Sequence, residues 1–165
     1  MGDPSLDATL RAEIAGVFIR PATGTDRPSI VALLEEVTLP TQDLWMADHT
    51  LFLVAERDGK IVGCAGAELS ENVALLRSLA VRDHWRRTGI GGRLIATLEA
   101  ACRTSGTCQA YLLTQTAEVF FSRRGYLRTD RATAPPAIAA STEFSSVCPA
   151  SAAFMSKTLW PLGPL

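Results

Sequence analysis

A glycine-rich turn between a strand-like segment and a helix-like segment constrains this chain more than any other feature. It follows the apolar residues 73–81 and leads into residues with helical spacing. The first amide N–H groups of a helix have no intrahelical acceptor, so they converge on a bound anion, and glycine lets that anion approach the backbone. Two arginines add positive charge. The plainer alternative is a turn without a ligand. We predict a phosphate-binding site at Arg86, Arg87, Thr88, Gly89, Ile90, Gly91 and Gly92.

The hydrophobic pattern around this turn predicts an α/β fold. Asp58-Gly59 between two apolar runs is typical of a β-hairpin, and a second polar turn at residues 70–72 leads into the strand before the glycines. The pair Pro135-Pro136 predicts that residues 131–147 lack regular structure. Strands are predicted over residues 17–20, 51–56, 61–69, 73–81, 108–114, 126–128 and 152–159, and helices over 26–37, 90–102 and 116–124.

Length and composition indicate one globular domain. Of the 165 residues, 47% are apolar and 20% are charged, as expected for a chain with a buried core. We predict a single domain over residues 16–160, a flexible arm over 1–15 and a tail over 161–165. A net charge of −1 gives no basis for a nucleic-acid or membrane partner. No apolar stretch approaches the ~20 residues that span a bilayer. We expect a cytoplasmic protein with reduced cysteines and no metal site.

Three segments together resemble the GNAT superfamily of acetyltransferases. Residues 86–91 fit its cofactor signature, Gln/Arg-x-x-Gly-x-Gly/Ala. Residues 76–81 stand where the family has its fourth strand, and residues 117–126 look like its late helix-to-strand segment. The resemblance covers Val17 to Leu159. It implies the GNAT fold, a mixed and mostly antiparallel sheet of six to seven strands flanked by helices and splayed between strands 4 and 5.

The resemblance also implies a cofactor and a reaction. In this family the glycine turn binds the pyrophosphate of coenzyme A, and the edge of strand 4 pairs with the pantetheine amides. By this resemblance Leu79, Ala80 and Val81 line the cofactor arm. The expected co-substrate is acetyl-CoA, whose acetyl group passes to an amine.

A narrower similarity concerns the acceptor. Residues 39–44, 112–117 and 142–152 look like GNAT proteins described as arsenic-resistance N-acetyltransferases. This subgroup implies a small acidic, amino-acid-like amine, such as an organoarsenical or phosphinate analogue of glutamate, and a role in detoxification. Two alternatives stay open, a protein or peptide N-acetyltransferase and a non-catalytic acyl-CoA sensor. A homodimer is also left open.

Arg77 is the unusual residue of the predicted fourth strand. Period-2 alternation places it on one face with Val73, Leu75, Leu79 and Val81, all apolar. An arginine among such neighbours requires an anionic partner. That partner is either a carboxylate of the substrate or a structural acid such as Glu68.

Candidates for proton transfer are fewer. Glu68 and Glu71 lie before and within the turn into strand 4, where a carboxylate can accept the proton of the amine. Either can equally be a solvated turn charge, and this is the favoured interpretation for Glu71. The family tyrosine that protonates the leaving thiolate is replaced by Phe121. Ser122 or water is then the expected donor, or the thiolate leaves unaided.

The subgroup similarity suggests further residues for the acceptor side, each with a structural alternative. For Thr41 and Asp43 the alternative is helix capping, for His49 a surface position, and for Cys148 a buried, inert thiol. His84 is expected on the surface, and Trp45 and Trp85 are expected to pack. The acceptor-side candidates are therefore Arg77, Thr41, Asp43, His49 and Cys148.

Overall fold

The computed structural model describes residues 16–47 and 49–160 of the chain. They form two compact units, one of residues 16–41, 52–66 and 78–98, the other of residues 42–47, 49–51, 67–77 and 99–160. The predicted arm and tail lie outside the described residues, and the single domain stays a prediction. No helix in the described ranges is long and apolar enough to cross a bilayer.

Seven strands form a mixed sheet of order β1-β2-β3-β4-β5-β7-β6. The β4–β5 pair is parallel, whereas the β1–β2, β5–β7 and β6–β7 pairs are antiparallel. The predicted mixed, mostly antiparallel sheet is confirmed. The strands are β1 Phe18–Pro21, β2 Thr50–Arg57, β3 Lys60–Ser70, β4 Val73–Val81, β5 Gln109–Thr114, β6 Leu127–Arg128 and β7 Ala153–Thr158.

Helices flank the sheet, as predicted. The two longest are predicted from apolar residues at helical spacing, and both start and end within a few residues of the predicted bounds. The α-helices are α1 Arg27–Glu36, α2 Ile90–Thr104, α3 Glu118–Ser122 and α4 Pro136–Ala139. Short 3-10 turns cover Gly24–Asp26, Asp83–Trp85 and Arg131–Thr133, and Glu143–Val147 is a single π-helical turn.

The first unit contains the predicted hairpin. Asp58 and Gly59 have φ of 51° and 76°, the two left-handed residues that a tight β-hairpin turn requires. On β3, Gly63 is in close contact with its surroundings: a Cβ at this position would lie 3.1 Å from the carbonyl oxygen of Ala80 and 3.0 Å from the Leu94 side chain. Glycine here lets β3 approach β4 and α2 closely.

The second unit is built around β5 and β7, whose register runs from Gln109↔Thr158 to Thr114↔Ala153. Phe154 of β7 stacks on Tyr111 at 5.5 Å and meets Phe144 edge-on at 5.3 Å. The β4–β5 register covers Val73↔Gln109 to Leu76↔Leu112, while β4 continues to Val81 and β5 to Thr114. The ladder between these strands therefore covers only the first part of β4.

The prediction that residues 131–147 lack regular structure is wrong. Arg131–Thr133 is a 3-10 turn, Pro136 opens α4, and Glu143–Val147 forms the π-helical turn. Proline is compatible with the first helical position, because the N–H that it lacks has no acceptor there. Pro136 therefore starts a helix where the sequence pattern predicts none.

Gly63→Ala tests the close approach at β3. We expect a loss of about 1–3 kcal/mol in the free energy of unfolding, because the Ala80 carbonyl is backbone and cannot move aside. Urea denaturation measures this loss. Gly24→Ala is the matched control, since a Cβ at Gly24 meets nothing within 4 Å. Equal stabilities of the two variants would contradict the packing described.

Candidate active site

The predicted phosphate-binding turn joins β4 to α2. Arg87 and Gly89 are left-handed, with φ of 63° and 91°, and the N–H of Arg93 donates to the Gly89 carbonyl at 3.0 Å as α2 begins. A helix leaves its first amide N–H groups without an intrahelical acceptor. Here those groups belong to Ile90, Gly91 and Gly92, so the backbone has the geometry of an anion-binding turn.

Contacts within the first unit hold this turn in shape. Thr88 is buried, and its hydroxyl donates to the Trp85 carbonyl. Arg86 Nε donates to the Val81 carbonyl at 3.2 Å, and its guanidinium pairs with Asp83 at 3.1 Å. The guanidinium of Arg57 covers the Trp85 ring at 4.5 Å. Arg86, Arg87 and Gly89 remain exposed, which suits a turn that receives a ligand from solvent.

β4 changes conformation in its middle. Ser78 has φ of 58°, a left-handed value that interrupts the two-residue pleat of a strand. The alternation that placed Leu79 and Val81 on the face of Arg77 therefore stops at Ser78. Ala80 is buried, whereas Leu79 and Val81 are half-buried. Their contact with a cofactor stays a prediction.

A buried ion-pair cluster surrounds Arg77 in the second unit. Its guanidinium donates from two nitrogens to the two carboxylate oxygens of Asp43, each at 2.6 Å, and also to Glu68 at 2.9 Å. The side chains of Arg77 and Asp43 are each 1% exposed, and that of Glu68 is 15% exposed. The anionic partner that the sequence requires is thus a pair of protein carboxylates. One of them is Glu68, the structural acid that the sequence suggests as a partner of Arg77.

Glu143 is a further carboxylate beside this cluster. It is buried, and its Oε2 is the one buried side-chain nitrogen or oxygen without a hydrogen-bond partner among the residues that the structure describes. Burial raises the pKa of Glu143 from 4.5 to about 7; the positive charge of Arg77 opposes this rise, and the negative charges of Asp43 and Glu68 add to it. The side chain therefore titrates near neutral pH.

Cys148 completes the cluster. Its Sγ donates to Glu143 Oε1 at 3.7 Å, and its backbone N–H donates to the Glu143 carbonyl at 2.9 Å. Burial, with a smaller contribution from Glu143, raises the pKa of the Cys148 thiol to about 12. The thiol is therefore protonated at neutral pH and orients one oxygen of Glu143.

Three other predicted site residues, Thr41, His49 and Glu71, are more exposed than the core of this cluster. Thr41 is half-buried and belongs to the first unit. His49 is exposed, and its carbonyl accepts from the Leu69 N–H at 2.8 Å. Glu71 is exposed in the β3–β4 turn with φ of 50°. A solvated turn charge accounts for Glu71, and the roles of Thr41 and His49 stay predictions.

The late helix offers few proton donors. Phe121 is buried and meets the Tyr126 ring edge-on at 5.5 Å. The Tyr126 hydroxyl is buried and bonds to Glu99 at 3.2 Å, and Lys157 holds the same carboxylate at 2.9 Å. Burial, together with the negative charge of Glu99, raises the pKa of the Tyr126 hydroxyl above its usual value. Ser122 is exposed and stays the predicted acid.

Sequence reasoning named four of the five cluster members, Asp43, Glu68, Arg77 and Cys148, but missed Glu143. The segment around Glu143 is rich in alanine, serine and threonine, and its short helical turns lack a readable period. The one available signal for Glu143 was that it is the single charged residue between Arg131 and Lys157.

Comparison with known proteins identifies the family. Residues 48–128 match the acetyltransferase (GNAT) domain. The chain contains a GNAT acetyltransferase domain. Among solved structures, N-acetylglutamate synthase from Neisseria gonorrhoeae complexed with coenzyme A and N-acetyl-glutamate superposes on the GNAT fold described above with a TM-score of 0.74. Its sequence identity is 23%, over 87% of this chain and 35% of that chain.

Curated relatives resemble the GNAT domain in sequence. An amino-acid acetyltransferase of Ralstonia nicotianae is 32% identical over 118 residues, which cover 67% of this chain and 26% of that protein. An uncharacterized N-acetyltransferase of Chlorobaculum tepidum is 35% identical over 81 residues, covering 48% of this chain and 52% of that protein. The chain thus spans between about a quarter and about half the length of these relatives.

Arg77→Met tests how far this part of the GNAT domain depends on the ion pair. We expect a loss of about 3–5 kcal/mol in the free energy of unfolding, because the buried carboxylates lose their counter-charge. Arg128→Met is the control: Arg128 is 67% exposed in its pair with Glu118, and such a pair contributes about 0–1 kcal/mol. In a double-mutant cycle, Asp43→Leu recovers part of the loss. Additive effects would contradict a direct pair.

Glu143→Gln tests the buried carboxyl by pH. Because the folded pKa exceeds the unfolded one, the folded protein binds more protons between pH 4.5 and about 7, and stability falls as pH rises through this window. Relative to the variant, the wild type loses about 2–3 kcal/mol between about pH 5 and pH 8.5. Urea denaturation across this range measures the difference. A constant difference would place the Glu143 pKa at its usual value.

Proposed function

We propose that this GNAT domain is an acetyl-CoA-dependent N-acetyltransferase that acts on the amine of a small, amino-acid-like molecule. The observation that carries the proposal is the Arg86–Gly92 turn, which presents the start of α2 and two exposed arginines to solvent. The rest of the proposal draws on the family, on the relatives and on the buried cluster around Arg77.

The proposed cofactor role follows from backbone geometry and charge. The N–H groups of Ile90, Gly91 and Gly92 would donate to the pyrophosphate of acetyl-CoA, supported by the positive end of the helix dipole. Arg86 and Arg87 add charge that suits phosphate oxygens. In the structurally similar N-acetylglutamate synthase, coenzyme A is bound, which supports the same ligand here.

The acceptor is proposed from the relatives. One is named an amino-acid acetyltransferase, and the structural neighbour holds N-acetyl-glutamate. Arg77 is the residue predicted to anchor a substrate carboxylate, but Asp43 and Glu68 already accept from its guanidinium. An acidic acceptor would therefore have to compete with these carboxylates. The arsenical and phosphinate analogues of glutamate stay predictions.

The reaction needs few groups from the protein. The neutral amine attacks the thioester carbonyl, a C–N bond forms, the C–S bond breaks, and the thiolate takes a proton. Phe121 has no proton to give, and the Tyr126 hydroxyl is held by Glu99 in a buried position. Ser122 or a water molecule is the proposed donor to the thiolate.

Gly89→Asp tests the cofactor site. A carboxylate beside the pyrophosphate repels it, so we expect the affinity for coenzyme A to fall about tenfold or more. Gly89→Asn is the matched control, because asparagine has nearly the same size, tolerates the left-handed backbone and carries no charge. Isothermal titration with coenzyme A measures both variants. Equal affinities would refute the assignment of this turn to the pyrophosphate.

Thiol release from acetyl-CoA tests the activity. The panel contains glutamate, neutral and basic amino acids, arsonate and phosphinate analogues of glutamate, and short peptides. We expect turnover with at least one free amino acid or analogue. Turnover with peptides alone would identify a peptide acetyltransferase. Acetyl-CoA binding without thiol release from any amine would identify a sensor, and either result would overturn the proposed function.

A further inference from the structure

The charges around Arg77 do not balance. The Arg77 guanidinium donates to the carboxylates of Asp43 and Glu68, and its charge also acts on a third carboxylate, that of Glu143. Arg77 and Asp43 neutralise each other through two hydrogen bonds of 2.6 Å. Glu68 accepts a further hydrogen bond from the same guanidinium, at 2.9 Å. Counted as formal charges, Asp43 and Glu68 outnumber Arg77 by one, and Glu143 adds a second excess negative charge whenever it is ionised.

Glu143 supplies a second and independent indication of a ligand. Burying an ionised carboxylate without a partner is costly, so such groups either bind a cation or keep a proton. Glu143 is 6% exposed, its Oε1 accepts from Cys148, and its Oε2 lacks a hydrogen-bond partner in the described chain. No group of the described chain donates to this buried Oε2 atom, so it is available to a donor from a ligand.

We propose that this acid cluster binds the ammonium group of the acceptor and that Glu143 takes its proton. The inference rests on the proposed function and deepens it, since it names the group that prepares the acceptor for attack. Glu143 is then a catalytic residue. Arg77 and Cys148 are positioning residues, because they act on the substrate through the carboxylates that they hold.

An ammonium group suits the cluster in charge and hydrogen bonding. It is a compact cation with three N–H donors, of the kind that lysine carries. The described Asp, Glu, His and Cys side chains form no set of three that could hold a metal ion. Glu68 is the most exposed of the acids around Arg77, at 15% against 1% for Asp43. The amine would therefore enter past Glu68.

The proton transfer balances without another reactant. The ammonium gives one proton to Glu143, which becomes a neutral carboxylic acid, and the amine is left with a free electron pair. The amine then attacks the thioester carbonyl, and as the C–S bond breaks its second proton passes to the departing thiolate by way of Ser122 or a water molecule, which gives one proton and takes one. Glu143 afterwards returns its proton to water, so one amide, one free thiol and one proton are formed.

The environment of Glu143 suits this role. A base works best when its pKa lies near the working pH, within hydrogen-bond reach of the amine or across one water molecule. Burial, the carboxylates of Asp43 and Glu68, the guanidinium of Arg77 and the thiol of Cys148 are the influences on its pKa, which lies at about 7. Glu143 is thus half ionised at neutral pH.

Glu143→Gln tests the catalytic part, with the exposed Glu35→Gln on α1 as the matched control. With the best amine of the panel, we expect kcat/KM at pH 7 to fall about 100-fold or more in Glu143→Gln, with unchanged affinity for coenzyme A. The loss should shrink as pH approaches the pKa of the free amine, which then needs no base. Glu35→Gln should match the wild type. Wild-type rates and pH profile in Glu143→Gln would overturn the proposal.

A binding measurement separates this inference from the proposed activity. In protein with 13C-labelled glutamate carboxyls, the Glu143 signal is the one missing from Glu143→Gln. We expect it to titrate near pH 7, and methylammonium chloride should lower that pKa more than potassium chloride at equal ionic strength. An identical titration in both salts would refute the ammonium site. Absence of turnover with every amine, together with a methylammonium effect, would instead refute the acetyltransferase activity.

Discussion

The ion pair between Arg77 and Asp43 is the interaction on which the second unit of this GNAT domain depends. It joins β4 to a segment without regular structure, across 34 residues of sequence, through two hydrogen bonds of 2.6 Å between side chains that are each 1% exposed. The desolvation of such a pair is compensated only by good geometry and further hydrogen bonds. Both are present here, because Glu68 accepts from the same guanidinium.

This pair also makes a buried negative site possible. Without Arg77, the buried carboxylates of Asp43 and Glu143 and the half-buried carboxylate of Glu68 would lose a counter-charge that favours their ionised form. Arg77 donates hydrogen bonds to two of the acids, Asp43 and Glu68, and the pKa of the third, Glu143, lies at about 7. The cost falls on stability above neutral pH, and a group that destabilises the folded protein in this way is typical of a functional position.

The hairpin and the glycine-rich turn were predictable because their signals are local. The Asp58-Gly59 hairpin and the Arg86–Gly92 turn depend on residues adjacent in sequence, where left-handed backbone and helix starts leave a clear pattern. Arg77 was also recognisable as a residue in need of an anion, since its neighbours on β4 are apolar. The sequence alone could not decide between substrate and protein as the source of that anion.

The cluster around Arg77 was less predictable because it is assembled over long sequence distances. Asp43, which pairs with Arg77, and Glu143 both come from segments without a readable period, and the pair Pro135-Pro136 predicted irregular chain where Pro136 begins α4. The alternation along β4 held only as far as Ser78, whose left-handed backbone breaks the pleat. Each of these features depends on tertiary contacts, which the pattern of neighbouring residues does not carry.

Proton release on binding tests the central claim, that an acid cluster exchanges a proton for the ammonium of the acceptor. Calorimetric titration of the best amine, in two buffers of different ionisation enthalpy, measures it. With the Glu143 pKa at about 7, release should be about one proton at pH 5.5, about half at pH 7 and near zero at pH 8.5. Glu143→Gln should show none. The same release in both proteins, or none in either, would contradict the account.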